Sequence, residues 1–111
     1  ERFAEIRKSA IGGAAHAGEL ETSLQMHFRP GRVDLDEVPV HMLDPKRDFG
    51  LSSATKDMFQ PGESIVGYDI SESFPEGVMG DPSVATPETG ELLFEAIVKK
   101  ACVICDEYRE L

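Results

Sequence analysis

The sequence predicts an α/β domain in which helices outweigh strands. Three observations carry this. Leu93, Ile97, Ala101, Ile104 and Tyr108 recur at helical spacing behind Thr86-Pro87, and Leu20, Leu24, His27 and Phe28 do so before Pro30-Gly31. The run Ser64 to Ile70 follows a Pro61-Gly62 turn signal and reads as the best strand. With 41% hydrophobic and 29% charged residues, the chain can bury a core and is not of disordered composition.

In chain order, Glu1 to Lys8 reads as the last turns of a helix, with Phe3, Ile6 and Ile11 roughly on one side and Gly12-Gly13 ending it. Ala17 to Arg29 is the second helix, stopped by Pro30, which lacks a donor and disfavours helical geometry in the residue before it. From Val33 to Phe59 no period is sustained, so the segment reads as loop with one short strand at Val38 to Met42. After the Ser64 to Ile70 strand, Ser73 to Pro82 is a succession of turns, with Gly77, Gly80 and Asp81 as structural turn residues. Thr86 is a good N-cap, Pro87 suits the first helical position and Glu88 the positive dipole end, so the last helix runs from there to about Arg109. No internal repeat or low-complexity segment interrupts the chain.

Charge narrows the partners. A net charge of -10, from 21 acidic against 11 basic side chains, argues against nucleic acid, whose affinity is carried by Lys and Arg clusters. No apolar run approaches the roughly 20 residues of a membrane span, so no membrane partner and a cytoplasmic location are expected. Cys102 and Cys105 lack a second Cys or His pair, so they read as packing residues rather than a redox or zinc motif.

The chemistry concentrates in Ala14 to Ser23, where an imidazole, His16, stands beside two carboxyls and two hydroxyls. Gly12, Gly13, Ala14, Ala15, Ala17 and Gly18 surround it with small side chains, which leaves room for another group to approach the ring. His16 precedes a helix whose free backbone donors and positive dipole end favour an unprotonated ring. Glu19 reads as an acid complementing that helix start, and Thr22 and Ser23 as hydroxyls that satisfy nearby backbone. Asp34, Asp36 and Asp44 read as solvated surface.

His16-Ala17-Gly18-Glu19-Leu20-Glu21-Thr22-Ser23, followed by an apolar helix ending in Arg29-Pro30, resembles the His-Ala-Gly-x-x-Glu-Thr-Ser segment of the creatininase (creatinine amidohydrolase) family. Gly77-Val78-Met79-Gly80-Asp81-Pro82 with Ala85 to Gly90 resembles the C-terminal part of the same family. The resemblance implies a three-layer α/β/α fold, with residues 1–111 as the C-terminal part of a single creatininase-like domain whose N-terminal, metal-ligating half is absent. It implies a metal-dependent hydrolase of cyclic amides or related C–N bonds, usually a homohexamer. Its divalent ions (Zn, Mn or Fe) would be bound mainly by residues outside this segment. Carried over residue by residue, it makes His16 the proton shuttle to the leaving nitrogen and Glu21 the carboxyl supporting it or the metal site. Five helical residues do not share one face, so this pairing requires His16 to precede the first turn. The segment by itself is then expected to be inactive. Within the family, a formylamino-pyrimidine deformylase or an inosose-type ring hydrolase are the alternatives. A non-catalytic assembly module is the alternative of another class.

Overall fold

A computed structural model describes residues 2–111. Helix α1 spans Arg2–Ile6, strand β1 Ala14–His16, helix α2 Glu19–Phe28, and the short helices α3 and α4 Pro45–Phe49 and Ile70–Ser73. Strand β2 spans Met79–Gly80, a 3-10 turn Pro82–Val84, and helix α5 Pro87–Arg109.

The boundaries have local causes. The first helix was expected to run to Lys8, but the Lys8 and Ser9 amides donate to the Glu19 carboxyl at 2.8 Å each, which draws the chain out of helical register after Arg7. Glu1 lies outside the described residues. The second helix begins at Glu19 rather than Ala17, because Ala17 is left-handed (φ 50°) and Gly18 is an extended N-cap. Helix α3 appears inside the stretch expected to be loop. Asp44 accepts from the Lys46 and Arg47 amides, Pro45 opens the helix, and Gly50 at φ 72° closes it.

Neither expected strand forms. Val38 to Met42 contributes one isolated bridge, between His41 and Gly80, and Ser64 to Ile70 contributes one, between Ser64 and Ala54. Ile65 is 92% exposed, and Ile70 instead opens α4 behind the Asp69 cap. An apolar run behind a turn signal becomes a strand only when a neighbour supplies the other half of the ladder.

The sheet pairs β1 and β2 antiparallel, with Ala14 opposite Gly80 and His16 opposite Met79. Two residues of β1 against one of β2 make Ala15 a β-bulge. The strand separates two apolar clusters. Ala14 packs with Phe3 and Leu93, flanked by Ile6, Leu20 and Leu24, while Ala15 packs against Leu43, Phe74 and Met79. The α/β class thus holds, with two strands among the described residues.

Helix α5 follows its expected course, its Thr86 hydroxyl accepting from the Thr89 amide at 3.2 Å. It crosses α2 closely: Gly90 faces Ser23 with no room for a Cβ, and Ser23 Oγ accepts from the Thr86 amide. Only the first turns of its apolar stripe are covered. Leu93 is 3% exposed, whereas Ile97, Ile104 and Tyr108 are 50%, 43% and 72% exposed. Cys102 and Cys105 are exposed and unbonded, which corrects the expectation that they pack inside. No helix among the described residues is long and apolar enough to cross a membrane.

Candidate active site

His16 is the last residue of β1, two residues ahead of the α2 N-cap, so it precedes the first helical turn as a pairing with Glu21 requires. Its side chain is exposed, and among the described residues no side chain hydrogen-bonds to its ring. What is fixed is the backbone beside it. The Ala17 amide donates to the Glu21 carboxyl, and the Ala17 carbonyl accepts from Thr22 Oγ1 at 3.4 Å. Glu21 occupies the third helical position, from which an acidic side chain reaches back to an amide ahead of the helix, as in half of a capping box. Both ends of a left-handed alanine are therefore held, and with them the direction in which the chain leaves His16. Gly18 contributes no side-chain cap.

The small residues around His16 serve a purpose different from the one expected. They let three backbone segments touch. The Gly13 carbonyl accepts from the Glu19 amide at 3.3 Å and the Asp81 amide at 2.9 Å. A Cβ on Gly18 would collide with that carbonyl, and one on Gly80 would stand 2.6 Å from it and 2.8 Å from the Gly18 Cα. The space is filled by main chain, and the sharp junction of β1, β2 and α2 results.

Two buried carboxyls lock the segment that leads into β1. Glu19 is fully buried and accepts from the amides of Lys8 and Ser9 and from Ser9 Oγ at 2.6 Å. It therefore joins α2 to the end of α1 rather than complementing its own helix start. Asp57, 1% exposed, accepts from Arg7 Nη2, the Gly12 amide and the Phe59 amide, each at 2.9 Å. Arg7 also donates to the carbonyls of Ser9 and Ala10. Carboxyls can be buried only when their acceptor sites are used, and among the described residues no buried side-chain N or O lacks a partner. Sequence reading missed both. Glu19 occupies an open position of the motif, and Asp57 meets a partner 50 residues away with no local signal.

The other histidines have separate surroundings. His27 lies 5.8 Å from the Phe94 ring and 5.1 Å from Phe28. His41 Nε2 lies 3.3 Å from Asp48 Oδ1 and 3.1 Å from Arg47 Nη2, with its ring edge-on to Phe74. Thr22 and Ser23 satisfy backbone groups, as expected. Asp44 and Asp81 cap the helical turns that follow them. Among the described residues no three His, Cys, Asp or Glu side chains group to hold a metal ion. The described residues therefore do not by themselves fit a complete metal centre.

These features define an α/β chain with an exposed imidazole at a strand end, the peptide beside it held by a helix carboxyl. A family model described as "Creatininase: Creatinine amidohydrolase" matches residues 2–105. The chain belongs to the creatininase family. It is also 32% identical over 89 residues to the "Mycofactocin precursor peptide peptidase" of Mycobacterium ulcerans (strain Agy99), a match covering 80% of this chain and 31% of that relative. The chain thus spans about a third of the length of the curated relative it matches. No solved structure matches at comparable stringency.

Proposed function

We propose that this chain carries the proton-transfer part of a hydrolase acting on amide or related C–N bonds, with His16 as the group that hands a proton to the leaving nitrogen. The observation that carries the reading is the pairing of an exposed strand-end His16 with a neighbouring peptide pinned by Glu21. An imidazole on a fixed backbone can meet a substrate atom repeatedly at one place, which is the requirement for general acid–base catalysis. Glu21 is a positioning residue in this scheme: it touches Ala17, and orients His16 through it. The family supports hydrolysis as the reaction class, and the relative's name supports a peptide amide as one substrate type.

The family reading also calls for divalent metal ions, and for a three-layer α/β/α domain of which this chain forms the C-terminal part. Since the described residues do not group as a metal site, those ions belong in the proposal to residues outside this segment. So does assembly into a homohexamer.

The test uses the purified, intact protein with a panel of cyclic amides and short peptides, alongside His16→Ala and His16→Gln variants. The expected result is hydrolysis that falls by about 10²–10⁴-fold in both variants with unchanged circular dichroism. It should be accompanied by about two divalent ions per site in the wild type, as in binuclear hydrolases. Equal rates in wild type and His16→Ala would defeat the assignment of His16, and protein without metal or turnover on any of the panel would favour an assembly module.

A further inference from the structure

One cavity, of about 280 Å³, opens between β1 and the loop that follows α3. Its wall includes Ala15, Phe49, Ile65, Val66, Tyr68 and Met79, and is mostly apolar. The cleft is open to solvent, with Ile65 on its rim, and an apolar cavity of about 150 Å³ already accepts benzene. This one has room for a ring together with the amide attached to it. Its one acidic lining residue, Asp57, is turned to Arg7 and two backbone amides, so no free charge awaits a cationic ligand.

Two features say what would sit there. Among the described residues the Tyr68 hydroxyl donates to the Met79 thioether alone, at 3.1 Å, a weak acceptor that an incoming carbonyl would displace. Burial raises the Tyr68 phenol above its ordinary value, so it remains a donor through the neutral range. Ala15 is the bulged residue directly before His16, and Met79 is the ladder partner of His16. The wall of the cavity thus comes within one residue of His16 along β1, across a bulge that breaks the strict alternation of faces, while His16 itself is not part of that wall.

We propose that this cavity is the side-chain subsite of the hydrolase: it takes an aromatic or branched aliphatic side chain adjoining the amide of the substrate, with Tyr68 as its directed hydrogen-bond donor. Its link to catalysis rests on the hydrolase reading above; its occupancy does not. The probes are N-acetyl-phenylalaninamide and N-acetylglycinamide, added to protein carrying labelled methyl groups and followed by NMR. The first should shift the Ala15, Val66 and Met79 methyls and saturate at a dissociation constant of about 1 mM; the second should not. Val66→Phe, which fills the cavity, should abolish the shifts, and Tyr68→Phe, which removes only the hydroxyl, should weaken binding about threefold to tenfold.

Equal shifts with N-acetylglycinamide, no saturation, or binding indifferent to both substitutions would overturn the proposal. Should Val66→Phe fail to fold, Tyr68→Phe and the probe comparison still decide. Loss of hydrolysis in His16→Ala without cavity binding would end this proposal and leave the hydrolase reading standing. Cavity binding with hydrolysis indifferent to His16→Ala would leave this proposal standing and end the assignment of His16 as proton donor.

Discussion

Glu19 and Glu21 lie two residues apart on α2, and the difference between them is one of burial and partner. Removing the Glu19 side chain leaves the Lys8 and Ser9 amides and the Ser9 hydroxyl without an acceptor in a closed environment. Unsatisfied buried donors cost about 1–3 kcal/mol each, less whatever water recovers. Glu19→Ala is therefore expected to lose about 3 kcal/mol in urea denaturation, and a loss below about 1 kcal/mol would mean that the 8–9 segment opens to solvent. Ala17 offers a test of opposite sign. A left-handed non-glycine residue costs about 1–2 kcal/mol, so Ala17→Gly is expected to leave stability unchanged or raise it by up to about 1 kcal/mol, since glycine's extra unfolded-state entropy offsets part of the relief. If instead it lowers stability by more, the alanine methyl contributes packing that its backbone angle conceals.

Helix α3 carries a carboxyl, Asp48, through which its stability follows pH. Burial pushes the Asp48 carboxyl up, but hydrogen bonds from Arg47, the Asp44 amide and His41 outweigh it and hold the group below the ordinary carboxylate value. A folded-state value below the unfolded one stabilises the native state above the unfolded pKa, about 3.9, and that stabilisation is lost as pH falls through the folded value. Asp48→Asn is therefore expected to be less stable than wild type by about 1 kcal/mol at pH 7, with the gap closing as pH drops from about 5 toward 2. A gap independent of pH would show that ionisation of Asp48 is not its source. The α2–α5 crossing supplies a second test at this scale. In an exposed helix Gly→Ala gains about 1 kcal/mol, but at Gly90 a Cβ enters the Ser23 carbonyl. Gly90→Ala is expected to lower the melting temperature, because separating the two helices uncovers Leu93 and exceeds that gain.

How much of this was legible in the sequence depended on where each signal was stored. The α5 start was readable because Thr86, Pro87 and Glu88 carry it within three residues. The α3 signals were equally local, Asp44-Pro45 ahead and Gly50 behind, and were overlooked because five residues are too few to show apolar periodicity. Ser64 to Ile70 misled for the opposite reason: the Pro61-Gly62 turn signal ahead of it is local, yet strand formation depends on a partner that a turn signal does not encode. The motif drew attention to His16 and Glu21, and the contact that Glu21 makes, with the Ala17 amide, is four residues long. Glu19 and Asp57 were not, because their meaning lies in contacts 10 to 50 residues distant. The glycines were read correctly as a need for space, but whether a ligand or main chain fills that space is a tertiary fact.

At the scale of the whole molecule, the apolar stripe of α5 is covered over its first turns and bare over its last. Leu93 and Ile104 lie on the same side of the helix, three turns apart, with exposures of 3% and 43%. If residues 2–111 behave in solution as they stand, Leu93→Ala should cost about 2–4 kcal/mol, as buried truncations do, and Ile104→Ala about 0.5 kcal/mol or less. Chemical denaturation of both variants at several protein concentrations gives the comparison. Two outcomes with the same Leu93 loss then separate two molecules. A small, concentration-independent Ile104 effect means that the far end of α5 is solvated. An Ile104 loss approaching that of Leu93, and growing with concentration, means that another chain covers the stripe, because a contact between chains contributes to stability by mass action.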